Sequence, residues 1–418
     1  MLLSHETTVR PDDSSANIIG HMCYAASKLW NVCNYERNNY KELGLARYPD
    51  WYYQKSAHKA NIWYKSLPSQ TAQEICKLLD KSWKSFYRLL KTGGIQNPRP
   101  PRYKQDNIAI TYMQNGIVHE PGSDTVRLSI PKALKGYMLS EYGIGNNYLF
   151  LKNRIFQSTD VIKQIRIYPP QNNGICRLIV VYEIADIDTL PDNGKYLSID
   201  LGLHNLMTCY DNSGKSFIAG RKYLSIAHRF DKEISRVQSQ WAKVQAAKGI
   251  KYPKPSGHLL KLYRDKRHAI KDYLHKMTRY IADYCRSNGI NMVVIGDITG
   301  IRRDNDLGHK TNQKLHSLPF AQIYTMLEYK LKMYGIRLIR QEESYSSQCA
   351  PTSEYVSETF AVKKNRVKRG LYIDDKHLYN ADAVGAYNIL RKYSAVLGAT
   401  IAMPVSGLDN TMIIKVAV

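Results

Sequence analysis

Three well-separated aspartates are the residues of this chain best suited to chemistry. Asp200 lies in SIDLGLHN (198–205), on an otherwise apolar strand, and is followed by Gly202. An unpaired charge in such a strand is costly. Asp297 stands near the C-terminal end of a second apolar strand, MVVIGDITGIR (292–302), and Asp382 opens the helical segment ADAVGAYNIL (381–390). Two carboxylates about 4 Å apart at an effective dielectric of roughly 20 repel by about 4 kcal/mol, so a converging set of three needs cations to stay ionised. Two Mg2+ ions, with Mn2+ as a substitute, take hard oxygen ligands and stabilise both the attacking and the leaving oxygen of a phosphodiester. Gly202 and Gly296 fit that picture, since a residue without a side chain lets a phosphate backbone approach closely. A single Asp at a strand end is more commonly a turn or cap residue; it is the pattern of three that points to a two-metal nuclease.

Charge indicates the partner. Sixty Lys plus Arg stand against 36 Asp plus Glu in 418 residues, a net charge of +24 with a sequence pI near 9.5. Such an excess favours a polyanion. No apolar run approaches the roughly 18 residues of a spanning helix, and the start MLLSHETTVRPDD lacks the order of a signal peptide, so the expectation is a cytoplasmic protein bound to nucleic acid, with no membrane partner. The seven cysteines are scattered, odd in number and never spaced as CxxC. They read as reduced core thiols, and no structural zinc is expected. Thirty-two tyrosines against seven phenylalanines add stacking and hydrogen-bonding capacity, although many tyrosines are ordinary half-buried core residues.

The length implies two or three domains. Residues 1–15 read as a strand and turn, and 16–92 as helices with apolar spacings of three and four. Ser69 after Pro68 is placed to cap the helix that displays Lys84, Arg88 and Lys91 as a basic stripe. A stiff connector, GGIQNPRPPRYK (93–104), offers Arg99, Arg102 and Lys104 to phosphates. Short β patterns over 105–190 suggest a small barrel, with the helical block inserted into it. PDNG (191–194) marks the main boundary. Beyond it a β-meander, a long helical pair and strands preceding helices indicate an α/β core. Residues 344–376 form a short insert carrying Lys363, Lys364, Arg366, Lys368 and Arg369, a candidate nucleic-acid clamp, and the segment after Tyr393 reads as a weakly ordered tail.

The order of these parts resembles the TnpB family, transposon-encoded RNA-guided DNA endonucleases of the OrfB type that are related to compact type V CRISPR effectors. SIDLGLHN is similar to the family's first RuvC motif, VVIGDITGIR to the second and NADAVGAYNILRK to the third; LPSQTAQEICKLLDKSWKSFYRLLK, PRPPRY and EESYSSQC also resemble family segments. The resemblance implies an α+β multidomain chain. A wedge β-barrel (1–15 and 105–190) would carry a helical recognition insert with connector (16–104). A RuvC domain of RNase H-like α/β fold (191–343 and 377–393) would carry a small target-nucleic-acid-binding insert (344–376), with a C-terminal tail at 394–418. It also implies a guide RNA derived from the transposon end, a double-stranded DNA target beside a short flanking motif and a single metal-dependent cleavage site; a monomer is the expectation, which no residue pattern encodes. Pairing would read the sequence while protein charge holds the heteroduplex.

Three departures bear on this. The family's second motif usually has Glu immediately before Asp, and here that place is Gly296. The missing acid is either Asp297 itself or a residue at the strand end Glu342–Glu343, with Glu343 preferred. The expected metal ligands are thus Asp200 and Asp382, completed by Glu343 or Asp297. The zinc-ribbon cysteines are reduced to Cys349, so the insert must be held by packing, and Val384 stands where the third motif often has Asn. A nuclease-inactive RNA-guided DNA-binding repressor and a guide-free transposase or resolvase are the alternative readings.

Overall fold

The structure, a computed structural model, describes residues 1–93, 95–298, 318–368, 370–374, 377–398 and 400–415. The chain divides into two compact units, 1–186 and 187–418, a few residues before the PDNG turn. No helix of the described residues is long and apolar enough to cross a membrane.

In the first unit β1 (Leu2–Val9) precedes four helices, α1 (Asp13–Asn38), α2 (Trp51–Ala57), α3 (Ile62–Lys65) and α4 (Ser69–Thr92). Then follow β2 (Ile110–Met113), β3 (Ile117–His119), β4 (Thr125–Ser129), α5 (Lys132–Tyr142), β5 (Tyr148–Lys152), α6 (Arg154–Gln157), β6 (Val161–Ile167) and β7 (Cys176–Glu183). The strands pair as two sheets, β1-β7-β6-β2 and β3-β4-β5, where the sequence suggests one barrel. β1 runs antiparallel to β7 over its full length, so the N-terminus is a sheet strand from Leu2 onward. α1 starts where Asp12 accepts a hydrogen bond from the Ser15 amide at 2.8 Å, satisfying one of the free N–H groups of the first turn. Ser69 does not cap α4. It is the first helical residue, Pro68 occupies the cap position, and no side chain bonds there; proline's fixed φ suits a helix start without a cap. Helices and sheets share one core, with Ile19, Leu29 and Leu79 packed in the same cluster as Ile110, Ile165 and Leu178. The helical block is therefore an insertion in sequence, between β1 and β2, and part of a common core in space.

The second unit is built on β8 (Tyr196–Asp200), β9 (Met207–Asp211), β10 (Lys215–Ala219), β11 (Met292–Asp297) and β12 (Arg337–Glu342). Two long helices, α7 (Tyr223–Ala246) and α8 (Gly257–Asn288), precede β11, and α9 (Phe320–Lys332) precedes β12. A hairpin, β13 (Leu371–Asp374) with β14 (His377–Asn380), leads into α10 (Ala381–Leu397), and β15 (Met412–Ile413) follows. The sheet order is β12-β11-β8-β9-β10-β15. β8, β11 and β12 are parallel neighbours, while β8, β9 and β10 form the antiparallel meander. Each face of this sheet is covered. Leu197, Ile199, Val293 and Ile295 pack with α8 and α9, whereas Tyr196, Met292 and Val294 pack with α10.

The segment after Tyr393 is not the weakly ordered tail its lack of periodicity suggests. α10 continues to Leu397, Leu408 is fully buried, and β15 adds to the sheet edge in parallel with β10, pairing Phe217 with Met412. Tyr210 donates to the Pro404 carbonyl at 2.7 Å. A two-residue strand lies below the length at which alternation can be read, so only the edge it joins makes it visible.

Candidate active site

Side chains alternate between the faces of a strand, and this decides which acids meet. Along β8, Leu197 and Ile199 face α8 and α9, which leaves Asp200 on the α10 face. A Cβ added to Gly385 of α10 would stand 2.8 Å from Asp200 Oδ2 and 3.1 Å from its Cγ, so the helix lies directly over this carboxylate. Along β11, Val293 and Ile295 face α8 and α9, Val294 faces α10, and Gly296 falls on the α10 side with Asp200. Asp297 then falls on the opposite side. The strand end there is held by Tyr324 of α9, whose hydroxyl donates to the Gly296 carbonyl.

The residue just past β12 brings an acid to the face on which β11 has only Gly296. Gly296 pairs with Gln341, and Glu343 lies two residues further along, on the same side. A Cβ on Gly296 would collide with Glu343 Oε2 and lie 3.3 Å from its Cδ and 3.0 Å from Ile389 Cδ1. The carboxylate thus fills the space that a side chain at 296 would take. This revises the reason for two glycines. The room at Gly296 is occupied by Glu343 and that at Gly202 by the Asn205 carbonyl, 2.7 Å from an added Cβ, so neither is open to a phosphate backbone.

Asp382 arrives from the first turn of α10, whose N-cap Asn380 accepts from the amides of Asp382 and Ala383 at 3.0 and 3.1 Å. Its Oδ2 accepts from Asn205 Nδ2 at 2.7 Å, and its Oδ1 pairs with Arg366 Nη2 at 2.9 Å. Asp200, Glu343, Asp382, Asn205 and Arg366 line one open cavity, which Asp297 does not line. Asn205 closes the first motif, yet composition and charge give no reason to single it out. Gly385 has a sequence signal, a glycine inside an otherwise strong helical pattern, which commonly marks close packing.

Electrostatics test the fit of a cation. Burial raises the Asp200 carboxyl well above the usual carboxylate range, and the charges of Glu343 and Asp382 raise it further against the pull of Arg366. Burial also pushes Glu343 up to about 7, aided by Glu342 and Asp297 and opposed by Lys392. Glu343 Oε2 is buried with no hydrogen-bond partner. Carboxylates that crowd one cavity, one with an orphaned oxygen, are the donors a hard divalent cation takes. As the side chains sit, no group of three acids, histidines or cysteines among the described residues is arranged to hold an ion. The positive charge beside Asp382 comes from Arg366 instead.

A pH prediction follows from Glu343. Its folded pKa lies above the unfolded one, so its contribution to stability is full below about pH 4.5 and is lost as pH rises to about 7. With chelator present, Glu343→Gln is expected to match the parent near pH 4 and to exceed it at pH 8 by on the order of 3 kcal/mol. Urea unfolding at the two pH values measures this, and an equal difference at both would contradict it. Added Mg2+ should narrow the gap at pH 8 by stabilising the ionised parent.

The basic residues separate into several environments. On α4, Arg88 and Lys91 are exposed, while Lys84 pairs with Asp80 at 2.9 Å. Arg99 and Arg102 are exposed on a connector whose backbone is pinned to α1. Trp30 and Asn34 donate to the carbonyls of Arg102 and Pro101 at 3.1 and 2.9 Å. Lys104 is partly buried, its ammonium 4.4 Å from the centre of the Trp30 ring. In the insert Lys363, Lys364 and Lys368 are exposed, Arg366 turns inward to Asp382, and Arg369 lies outside the described residues.

The chain is similar to known proteins along most of its length. Residues 179–302, which hold Asp200 and the second motif, match the OrfB_IS605 family, described as "Probable transposase", and residues 320–389, which hold Glu343 and Asp382, match the "Cas12f1-like, TNB domain" family. The Escherichia coli K12 protein named "Putative RNA-guided DNA endonuclease InsQ" is 23% identical over 381 residues, covering 87% of this chain and 84% of its own length. Among solved structures, the chain in "Cryo-EM structure of the Cas12f1-sgRNA-target DNA complex" has a similar fold, with a TM-score of 0.58 and 16% identity over 90% of this chain and 82% of that one. The two family matches fall in motif order along the chain, and with the InsQ relative and the similar fold they support a TnpB-type protein.

Proposed function

We propose that this chain is a transposon-encoded RNA-guided DNA endonuclease that binds a transposon-end guide RNA. It cleaves complementary double-stranded DNA beside a short flanking motif, at one RuvC-type site. The observation that carries this reading is the Glu343 carboxylate in the space vacated at Gly296, which restores a third acid beside Asp200 and Asp382.

Asp200, Glu343 and Asp382 would hold two Mg2+ ions, which when bound supply charge stabilisation to an in-line phosphodiester hydrolysis. The chain's own groups prepare that chemistry. Asn205 fixes one oxygen of Asp382, and α10 crowds Asp200 through Gly385 so that its carboxylate has little freedom. Arg366 neutralises Asp382 and is placed to exchange that partner for a strand phosphate, a bidentate acceptor guanidinium groups favour. The exposed cations Arg88, Lys91, Arg99, Arg102, Lys363, Lys364 and Lys368 suit the backbones of guide and target, which fix register without reading sequence. The first unit would serve as wedge and recognition parts, and residues 344–376 as the target-binding insert.

The deciding experiment is sequencing of the nucleic acid that co-purifies when the protein is expressed beside its native flanking DNA. A discrete RNA with a constant scaffold and a variable end is expected. Its absence would overturn the guided reading and favour a guide-free transposase or resolvase.

A further inference from the structure

We propose that Arg391, together with Asn388, is the positioning residue that mounts the first part of the insert, 346–354, on α10 and thereby sets Glu343, by capturing backbone carbonyls; this rests on Glu343 acting in the proposed nuclease site.

Residues 346–354 have no regular secondary structure beyond turns and an isolated bridge, so their carbonyls need partners from elsewhere. The Ser353 and Val362 amides serve the Ala350 and Gln348 carbonyls at 3.1 and 3.0 Å, and side chains add the bonds that tie the segment to α10 and β13. Asn388 Nδ2 donates to the carbonyls of Ser346 and Cys349 at 2.7 and 2.8 Å. Arg391 Nη1 donates to the Ala350 carbonyl at 3.0 Å and to Ser353 Oγ at 3.3 Å, and Nη2 donates to the carbonyls of Ser353 and of Glu354, the latter at 3.3 Å. Asn388 Oδ1 in turn accepts from Arg391 Nη1 at 3.0 Å, locking the two side chains together. Tyr372 of β13 donates to the Gln348 carbonyl at 3.0 Å. The lone cysteine here, Cys349, is engaged in the same way, its Sγ donating to the Ser357 carbonyl at 3.3 Å.

The clamp matters because of where Glu343 sits. β12 ends at Glu342, so the ladder with β11 does not reach the acid. The chain then turns through Tyr345, a non-glycine residue at φ 63°, a conformation that costs energy and needs surroundings to hold it. The Ser346 amide donates back to the Glu343 carbonyl at 3.1 Å, and the Ser346 carbonyl is the one Asn388 holds. One helix therefore fixes Asp382 in its first turn and, about two turns later, the segment that orients Glu343. A planar fork can serve several carbonyls at once where a lysine ammonium is a single point.

The test uses the full chain loaded with its guide RNA. Arg391→Ala is expected to slow cleavage at saturating target by about 100-fold, a loss that added target does not recover and the cost of misplacing a reacting group by an ångström or so. Hydrogen exchange should accelerate at 343–354 while amides of β8 and β11 stay protected. Guanidinium ion should restore part of the rate to Arg391→Ala, and Arg391→Lys should recover less than the native fork. Parent-like cleavage by Arg391→Ala overturns the proposal. So does loss of protection spread over the whole second unit without rescue by guanidinium, because that marks a general fold defect. If the parent itself does not cleave, the nuclease reading fails, while the exchange pattern still decides whether the clamp exists.

Discussion

Asp200→Ala is expected to abolish DNA cleavage, by more than about 10³-fold, while leaving guide RNA and target binding at parent levels; this is the upper end of what losing one preorganised electrostatic group costs. Asp200 sits at the end of a central strand beneath Gly385 and shares its cavity with Glu343 and Asp382, whose charges act on it. The substitution also removes a buried group whose ionised form is disfavoured, so the fold should tolerate it. Binding by mobility shift and cleavage under single-turnover conditions separate the two effects. Retained cleavage would remove Asp200 from the site. Loss of target binding in parallel would mean that the substitution damages the fold.

The second large effect concerns the acid transposed between neighbouring strands. Glu343→Gln keeps the shape and removes the charge, and should match Asp200→Ala. Asp297→Asn, on the face turned toward α8 and α9, should cleave close to the parent rate. The sharper comparison is a swap. Gly296→Glu alone places a side chain where the Glu343 carboxylate already lies, and overpacking of this kind costs about 1–3 kcal/mol. Glu343→Ser alone leaves the site short of an acid. Combined, Gly296→Glu with Glu343→Ser returns a carboxylate to the same space from the adjacent strand. Its cleavage should exceed that of either single variant, with a coupling of about 2 kcal/mol or more between the two positions. Strict additivity would show that the two positions do not share one acid's place, and wild-type cleavage by Glu343→Gln would return the third ligand to Asp297.

Much of this was legible along the chain. The apolar strands that end in Asp200 and Asp297, the helix opened by Asp382 and the excess of positive charge are local or additive properties, set by short-range periodicity and composition. Even the exclusion of Asp297 from the Asp200 face is a matter of parity, but parity needs the register, and register is a pairing between residues 96 apart, such as Met292 with Tyr196. The rest was decided by tertiary contacts. Nothing near Glu343 in sequence says that its carboxylate reaches back over Gly296, because the contact runs between neighbouring strands through space. The turn of Arg366 from an apparent clamp to a partner of Asp382, the capture of the insert by Arg391 and Asn388, and the docking of β15 on the sheet edge are likewise long-range. Periods, charges and the acids available are properties of the chain as written. Which acids converge, and which cations they meet, depended on strand register and helix placement, since distance in space is set by the packed fold and not by separation along the chain.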